Sequence, residues 1–311
     1  MNLVTTAIVP IVLILGLGAW LRHRYLREPG FWRGLEWMSY RIFTPALFIT
    51  SIAGTDLTVI PLGSLLLSLT PPILLVTGLV LALRRPFRVN GPQLTSMVQG
   101  SIRINTYVGL IFAQALHGLE GVATFALASA VVVPLVNIIS VSVLAAYGDK
   151  AASSPKVPVW RELIKNPLIQ ACALGLVLNL IALPLPGFIS SAVTMLSAPA
   201  LACGTLIAGA ALHLTFHKRD IFDIGVATAL KLVILPAAAA SLAILLGATG
   251  ATLTSIVLIS AVPTAPSAYV LAAKMGGDTR LMASITGTQT ILSIATLPIT
   301  LMVMDFLSGN P

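Results

Sequence analysis

Ten apolar segments, each roughly 17 to 27 residues long, follow one another with only short polar links between them. They run at about 3–21, 37–54, 63–83, 93–115, 121–147, 167–184, 188–214, 222–246, 251–273 and 281–303. A helix rises ~1.5 Å per residue and the hydrocarbon layer of a bilayer is roughly 30 Å thick, so these lengths suit tilted membrane-spanning helices. The composition agrees: 57% of the 311 residues are hydrophobic and 9% charged, against about 25% charged in a soluble domain. The chain therefore reads as an all-α integral membrane protein, and no link is long enough for a soluble domain.

A net charge of +8 would suit nucleic acid, but its placement excludes that reading. Arg22, Arg24, Arg27 and Arg33 fall in the first connection, Arg84, Arg85 and Arg88 in the third, and Lys150, Lys156, Arg161 and Lys165 in the fifth. Lys218 and Arg219 follow in the seventh, Lys274 and Arg280 in the ninth; the even-numbered connections carry none. The positive-inside rule then places the odd connections in the cytoplasm and both termini outside, in a multi-pass protein of the inner (cytoplasmic) membrane. Contact with anionic membrane lipid is expected, and no nucleic acid. The first connection, residues 21–38, alternates Arg with Trp, Tyr and Phe, as an interfacial turn or short helix would. Met1 to Thr6 lack the basic start of a secretory signal, so the first span is expected to stay in place. Cys172 and Cys203 sit inside predicted spans without metal-type spacing and read as packing residues.

Internal similarity divides the chain in two. Thr44-Pro-Ala-Leu47 returns as Ala198-Pro-Ala-Leu201, and Asn137-Ile-Ile-Ser140 as Thr290-Ile-Leu-Ser293. Leu15-Gly-Leu17 matches Leu174-Gly-Leu176, and Tyr107-Val108 matches Tyr269-Val270. With five spans per half, the second copy enters from the opposite face: an inverted 5+5 repeat, residues 1–150 and 151–311, joined by the polar linker at residues 148–158.

Two spans carry the chemistry. The fourth places Arg103 near the midplane, accompanied by Gln99, Asn105, Thr106 and Gly109. An arginine at that depth is costly unless paired or facing water, and no Asp or Glu lies in the middle of any span. An anionic ligand is one answer; a structural role satisfied by backbone carbonyls is the other. The ninth span, its repeat partner, holds Pro263, Thr264, Pro266, Ser267 and Tyr269. Two prolines three apart remove two backbone donors, so a broken helix is expected, lining a cavity or buried in protein. If both helices break at one level, their half-helix N-termini can face an anion beside Arg103.

Lys231 in the eighth span is a second cation near the substrate, a tethered charge in place of a coupling ion, or a snorkelling side chain. Asn137 and Gln289 occupy near-equivalent repeat positions and read as supports of the crossing, with Thr290 beside Gln289, or as polar glue between helices. There is no phosphate loop, zinc motif or nucleophile elbow, so the chain is not read as an enzyme, and no cofactor or metal is expected.

Residues 101–110, Asn166-Pro-Leu-Ile, residues 197–212 and the run Pro263-Thr-Ala-Pro-Ser-Ala-Tyr-Val-Leu-Ala-Ala-Lys-Met-Gly-Gly-Asp278 together resemble the auxin efflux carrier family, which includes bacterial dicarboxylate permeases and plant auxin exporters. The resemblance implies the ten-helix fold of bile-acid and sodium/proton transporters. In that fold spans 1, 2, 6 and 7 form a scaffold, spans 3–5 and 8–10 a transport unit, and substrate is held beside broken crossing helices four and nine. Members often have proline after the Gly-Leu of span four; here Ile111 follows Gly109-Leu110, so that helix is expected either to break less sharply or to rely on glycine alone.

The function expected on this basis is secondary transport of a small organic anion, auxin-like or dicarboxylate. Elevator-type movement would carry out efflux or uniport driven by the membrane potential. A Na⁺- or H⁺-coupled symporter of the same fold is the alternative, and a non-transporting sensor or lipid enzyme a remote one. The scaffold spans are candidates for a homodimer face.

Overall fold

The computed structural model describes residues 9–57, 60–149, 164–181, 186–211 and 220–307, which are helical with no strand among them. In order these are α1 (Val9–Arg24), α2 (Pro29–Met38), a π-helical turn (Ser39–Phe43), α3 (Thr44–Ala53), α4 (Leu62–Leu83), α5 (Gly91–Ile102) and α6 (Thr106–Tyr147). There follow α7 (Pro167–Leu180), α8 (Gly187–Ser197), α9 (Ala200–Ala210), α10 (Ile221–Ala229), a second π-helical turn (Leu230–Ile234), α11 (Leu235–Leu245), α12 (Gly250–Ala261), α13 (Ser267–Met275) and α14 (Thr279–Leu307). Among the described residues, five helical stretches are long and apolar enough to cross a membrane: Leu62–Leu83, Gly91–Tyr147, Gly187–Ala210, Ile221–Leu245 and Thr279–Met304. The chain is a multi-pass membrane protein. Most of the linker between the expected halves, with Lys150, Lys156, Arg161, Lys218 and Arg219, lies outside the described residues.

Proline and glycine set the irregular points. Each π-turn lies just before a proline, Pro45 or Pro236, whose ring presses on the carbonyl four residues back. The bonding slips to the fifth residue: the amide of Thr44 bonds the carbonyl of Ser39, and that of Leu235 bonds Leu230. Pro199 separates α8 from α9. Gly118 (φ +56°, ψ −139°) folds α6 back on itself in a conformation that side chains resist. At the start of α5, Asn90 Oδ1 accepts from the amide of Gln93 at 2.9 Å while Gln93 returns the bond to Asn90 at 3.3 Å, a reciprocal cap. The short helix expected in the first connection is α2, with Trp32 Nε1 donating to the Leu26 carbonyl at 2.6 Å.

The helices pack in two sets. In the first, α1 lies along α9, and α3 lies between α7 and α8. Backbone contact holds α1 to α9: a Cβ on Gly18 would collide with the Leu206 carbonyl, and one on Gly209 with that of Leu15. Asn179 Nδ2 fixes α7 to the end of α3 by donating to the carbonyls of Ile52, Ala53 and Thr55 at 3.0, 3.2 and 2.8 Å. In the second set, α4, α5, the second part of α6 and α10–α14 surround a core that includes Leu94, Met97, Phe125, Ile256, Leu258 and Ile285. The sets meet where α6 touches α3 and α9, with Tyr107 lying against Gly204. Cys172 and Cys203 are free thiols.

Gly209→Leu is expected to lower the melting temperature in detergent by more than about 5 °C, since bulk there must push two backbones apart. Gly16→Leu, where a side chain meets nothing within 4 Å, is the control and is expected to shift it little. Equal melting temperatures would contradict the close backbone packing.

Three helices of the second set start together. The amide of Asp278 donates to the Pro92 carbonyl at 3.2 Å, Ser96 Oγ donates to the Asp278 carbonyl at 2.8 Å, and Arg280 pairs with the buried carboxylate of Asp220. Because α5, α10 and α14 begin at one level, counting residues along each gives comparable depths.

Candidate functional site

α5 stops at Ile102 and α12 at Ala261, each followed by extended backbone. The interrupted segments, 103–105 and 262–266, cross, and the amide of Asn105 donates to the carbonyl of Pro263 at 2.8 Å. Pro263 cannot donate and Pro266 caps α13, so the prolines keep the second segment out of helix. Asn105 caps α6 by accepting from the amide of Val108 at 3.4 Å. The break in span four therefore lies upstream of Gly109, which is helical and packed against Phe125. Of the two alternatives for span four, reliance on glycine alone does not hold: Asn105, a strong cap, sets the boundary, and Gly109 serves close packing.

One side of the crossing is polar and sealed. Thr264, fully buried, donates through Oγ1 to the Gly100 carbonyl at 2.9 Å, and its amide donates to Gln289 Oε1 at 3.0 Å. Gln289, also fully buried, donates from Nε2 to the Gly100 carbonyl at 2.8 Å and lies 3.4 Å from the carbonyl of Ala227. One amide side chain thus joins α14, α5, α10 and the break before α13. Gly100 admits this approach, since a Cβ there would crowd Ile285 of α14.

The other side carries the charge. Arg103, half-buried, donates from Nη1 to Asn137 Oδ1 at 3.1 Å and from Nη2 to Ser267 Oγ at 3.4 Å. Ser267 begins α13, and Thr106, half-buried three residues from Arg103, begins α6. The guanidinium therefore sits beside the N-terminus of α13, which carries a partial positive charge, and its residue lies three positions before the start of α6. The arginine and the N-terminus of α13 thus bring positive potential together, with Asn137 Oδ1 and Ser267 Oγ accepting from the guanidinium. The arrangement favours an anion.

Arg103, Asn137 and Ser267 come together, as do Thr264, Gln289 and the backbone of Asn105 and Pro263. Asn137 and Gln289 take different tasks, one holding the arginine and the other the crossing backbone. Tyr269 projects from α13 with 46% of its surface exposed, and Thr290 turns its hydroxyl back to the Thr286 carbonyl at 2.7 Å. Lys231 lies fully buried in the second π-turn, packed on α5, α12 and α14. Sequence reasoning missed the Gly100 and Ala227 carbonyls, since a backbone acceptor leaves no mark in residue type.

A family model described as membrane transport protein matches residues 90–301, from the cap of α5 into α14. The chain belongs to the auxin efflux carrier family of membrane transport proteins. No curated protein matches it. The family match spans both interrupted helices and every residue of the crossing, so this carrier's polar crossing lies within the matched region. It begins after α4 and takes in every motif on which the resemblance was read.

Proposed function

We propose that this carrier moves a small organic anion, a mono- or dicarboxylate, across the cytoplasmic membrane. The observation that supports this most is Arg103, fixed by Asn137 and Ser267 beside the N-terminus of α13. Each exported negative charge gains roughly 2.3 kcal/mol per 100 mV, inside negative, equivalent to about 50-fold accumulation outside. Efflux or uniport on this basis requires no coupling ion. Flux of labelled malate, malonate or indole-3-acetate into proteoliposomes is expected to follow an imposed potential and to ignore gradients of Na⁺ and pH. Flux that requires either gradient would overturn the uniport reading in favour of a symporter.

In this reading the chain forms ten spans in an inverted repeat, with both termini outside. The matched segments support it: Pro45 and Pro199 both mark interruptions, and Tyr107 and Tyr269 both follow the breaks of the crossing. The set around α1, α3, α7 and α9 acts as scaffold and the set around the crossing travels against it. A Cβ on Gly204 would lie 3.1 Å from that of Tyr107, a little inside the roughly 3.5–4.5 Å of a disulfide, so a small parting of the two backbones would let a bridge form. A Tyr107→Cys/Gly204→Cys variant, with Cys172 and Cys203 replaced by serine, is expected to lose flux on oxidation and regain it on reduction. Full flux in the cross-linked form would contradict elevator movement.

A further inference from the structure

Lys231 presents a problem that the anion site does not solve. Its side chain is fully buried, and among the described residues its Nζ has no hydrogen-bond partner. The elements packed on its π-turn offer no carboxylate at its level. α5, α11 and α12 have no acidic residue, Asp223 lies in the first turn of α10, about 12 Å back along the helix axis, and Asp305 lies in the last turn of α14. An isolated ammonium in such a place needs compensating negative potential.

The depth count supplies it. Gln289 of α14 reaches both Gly100 of α5 and Ala227 of α10, so those three residues share one level. Lys231 is one turn beyond Ala227, level with the crossing, and helical side chains lean back toward the N-terminus. That brings the ammonium toward the last turn of α5. α5 and α12 both end at the crossing, and each C-terminus carries about half a negative charge, together about one. The π-turn packs on both helices. The buried amide of Gln99, without a partner among the described residues, and the unpartnered Oγ1 of Thr228 on α10 lie in the adjoining turns.

We propose that Lys231 is a built-in counter-cation for the two half-helix C-termini at the crossing, filling the role that a bound alkali cation would otherwise take. This rests on the transport reading, as the reason that flux needs no coupling ion. Its test uses no substrate, so the two can fail separately.

The experiment measures the melting temperature of purified full-length protein in detergent while NaCl replaces choline chloride at constant ionic strength. Wild type and Lys231→Arg are expected to show no saturable response to Na⁺. Lys231→Met, which keeps the bulk but removes the charge, is expected to melt at least about 5 °C lower in choline and to regain most of that loss, saturably, with Na⁺. LiCl and KCl in parallel arms identify the cation preferred.

A saturable Na⁺ shift in wild type would overturn the proposal, because the place would then not be filled by Lys231. So would a Lys231→Met protein as stable as wild type in choline, or one that Na⁺ fails to stabilise. A variant recovered only as aggregate in every salt counts against it equally, since no free cation then replaces the tethered one.

Discussion

Arg103→Ala is expected to lose the thermal stabilisation that small carboxylates confer on the wild-type protein. A hydrogen bond to a charged group contributes about 1.5–3 kcal/mol, so its removal weakens binding by about 10- to 150-fold. Screened with malate, malonate and indole-3-acetate, the variant should show a much smaller shift at concentrations that just saturate wild type. Arg103→Lys keeps the charge but not the planar fork, and is expected to recover only part of the affinity. Asn137→Ala separates holding from binding. It removes an acceptor 3.1 Å from Nη1 and leaves the charge, so a smaller loss is expected. Shifts undiminished in Arg103→Ala would move the anion elsewhere.

The second large effect is expected at Gln289. Replacing it with leucine keeps the approximate volume but deprives the Thr264 amide of its acceptor and the Gly100 carbonyl of one of its two donors. Buried polar groups left unsatisfied cost about 1–3 kcal/mol each. The crossing is held by few other bonds, so Gln289→Leu is expected to lower the melting temperature by more than about 5 °C and to abolish flux. Gln289→Glu, which can accept from Thr264 but cannot donate to Gly100 while ionised, should fall between the two. Wild-type stability and flux in Gln289→Leu would contradict the sealed side of the crossing.

The proline pattern and the apolar lengths made much of this legible in the sequence. Pro263 and Pro266 announced the break before α13, and the ninth and fourth spans do meet, through Asn105 and Pro263. Arg103 stood out because charge at that depth requires a reason. The position of the break in the fourth span was not legible, since helix termination there depends on Asn105 as a cap and on the pairing with Pro263, a contact between residues 158 positions apart (263 − 105). The π-turns were not foreseen. Pro45 and Pro236 point to them, yet Pro134 and Pro298 lie within α6 and α14 without interrupting them, so proline alone does not decide. Asn137 and Gln289 looked alike by position, and only the packing of α14 against α5 and α10 separates their tasks.

The central claim is that a small organic anion crosses with its charge uncompensated by a coupling ion. Current across proteoliposomes adsorbed on a solid-supported membrane tests it most directly, with the carboxylate panel applied in choline buffer at symmetric pH. The account predicts a saturating current that carries negative charge in the direction of the carboxylate gradient, the same when Na⁺ replaces choline, and absent in Arg103→Ala. Substrate flux without current, or current of the opposite sign, would contradict it.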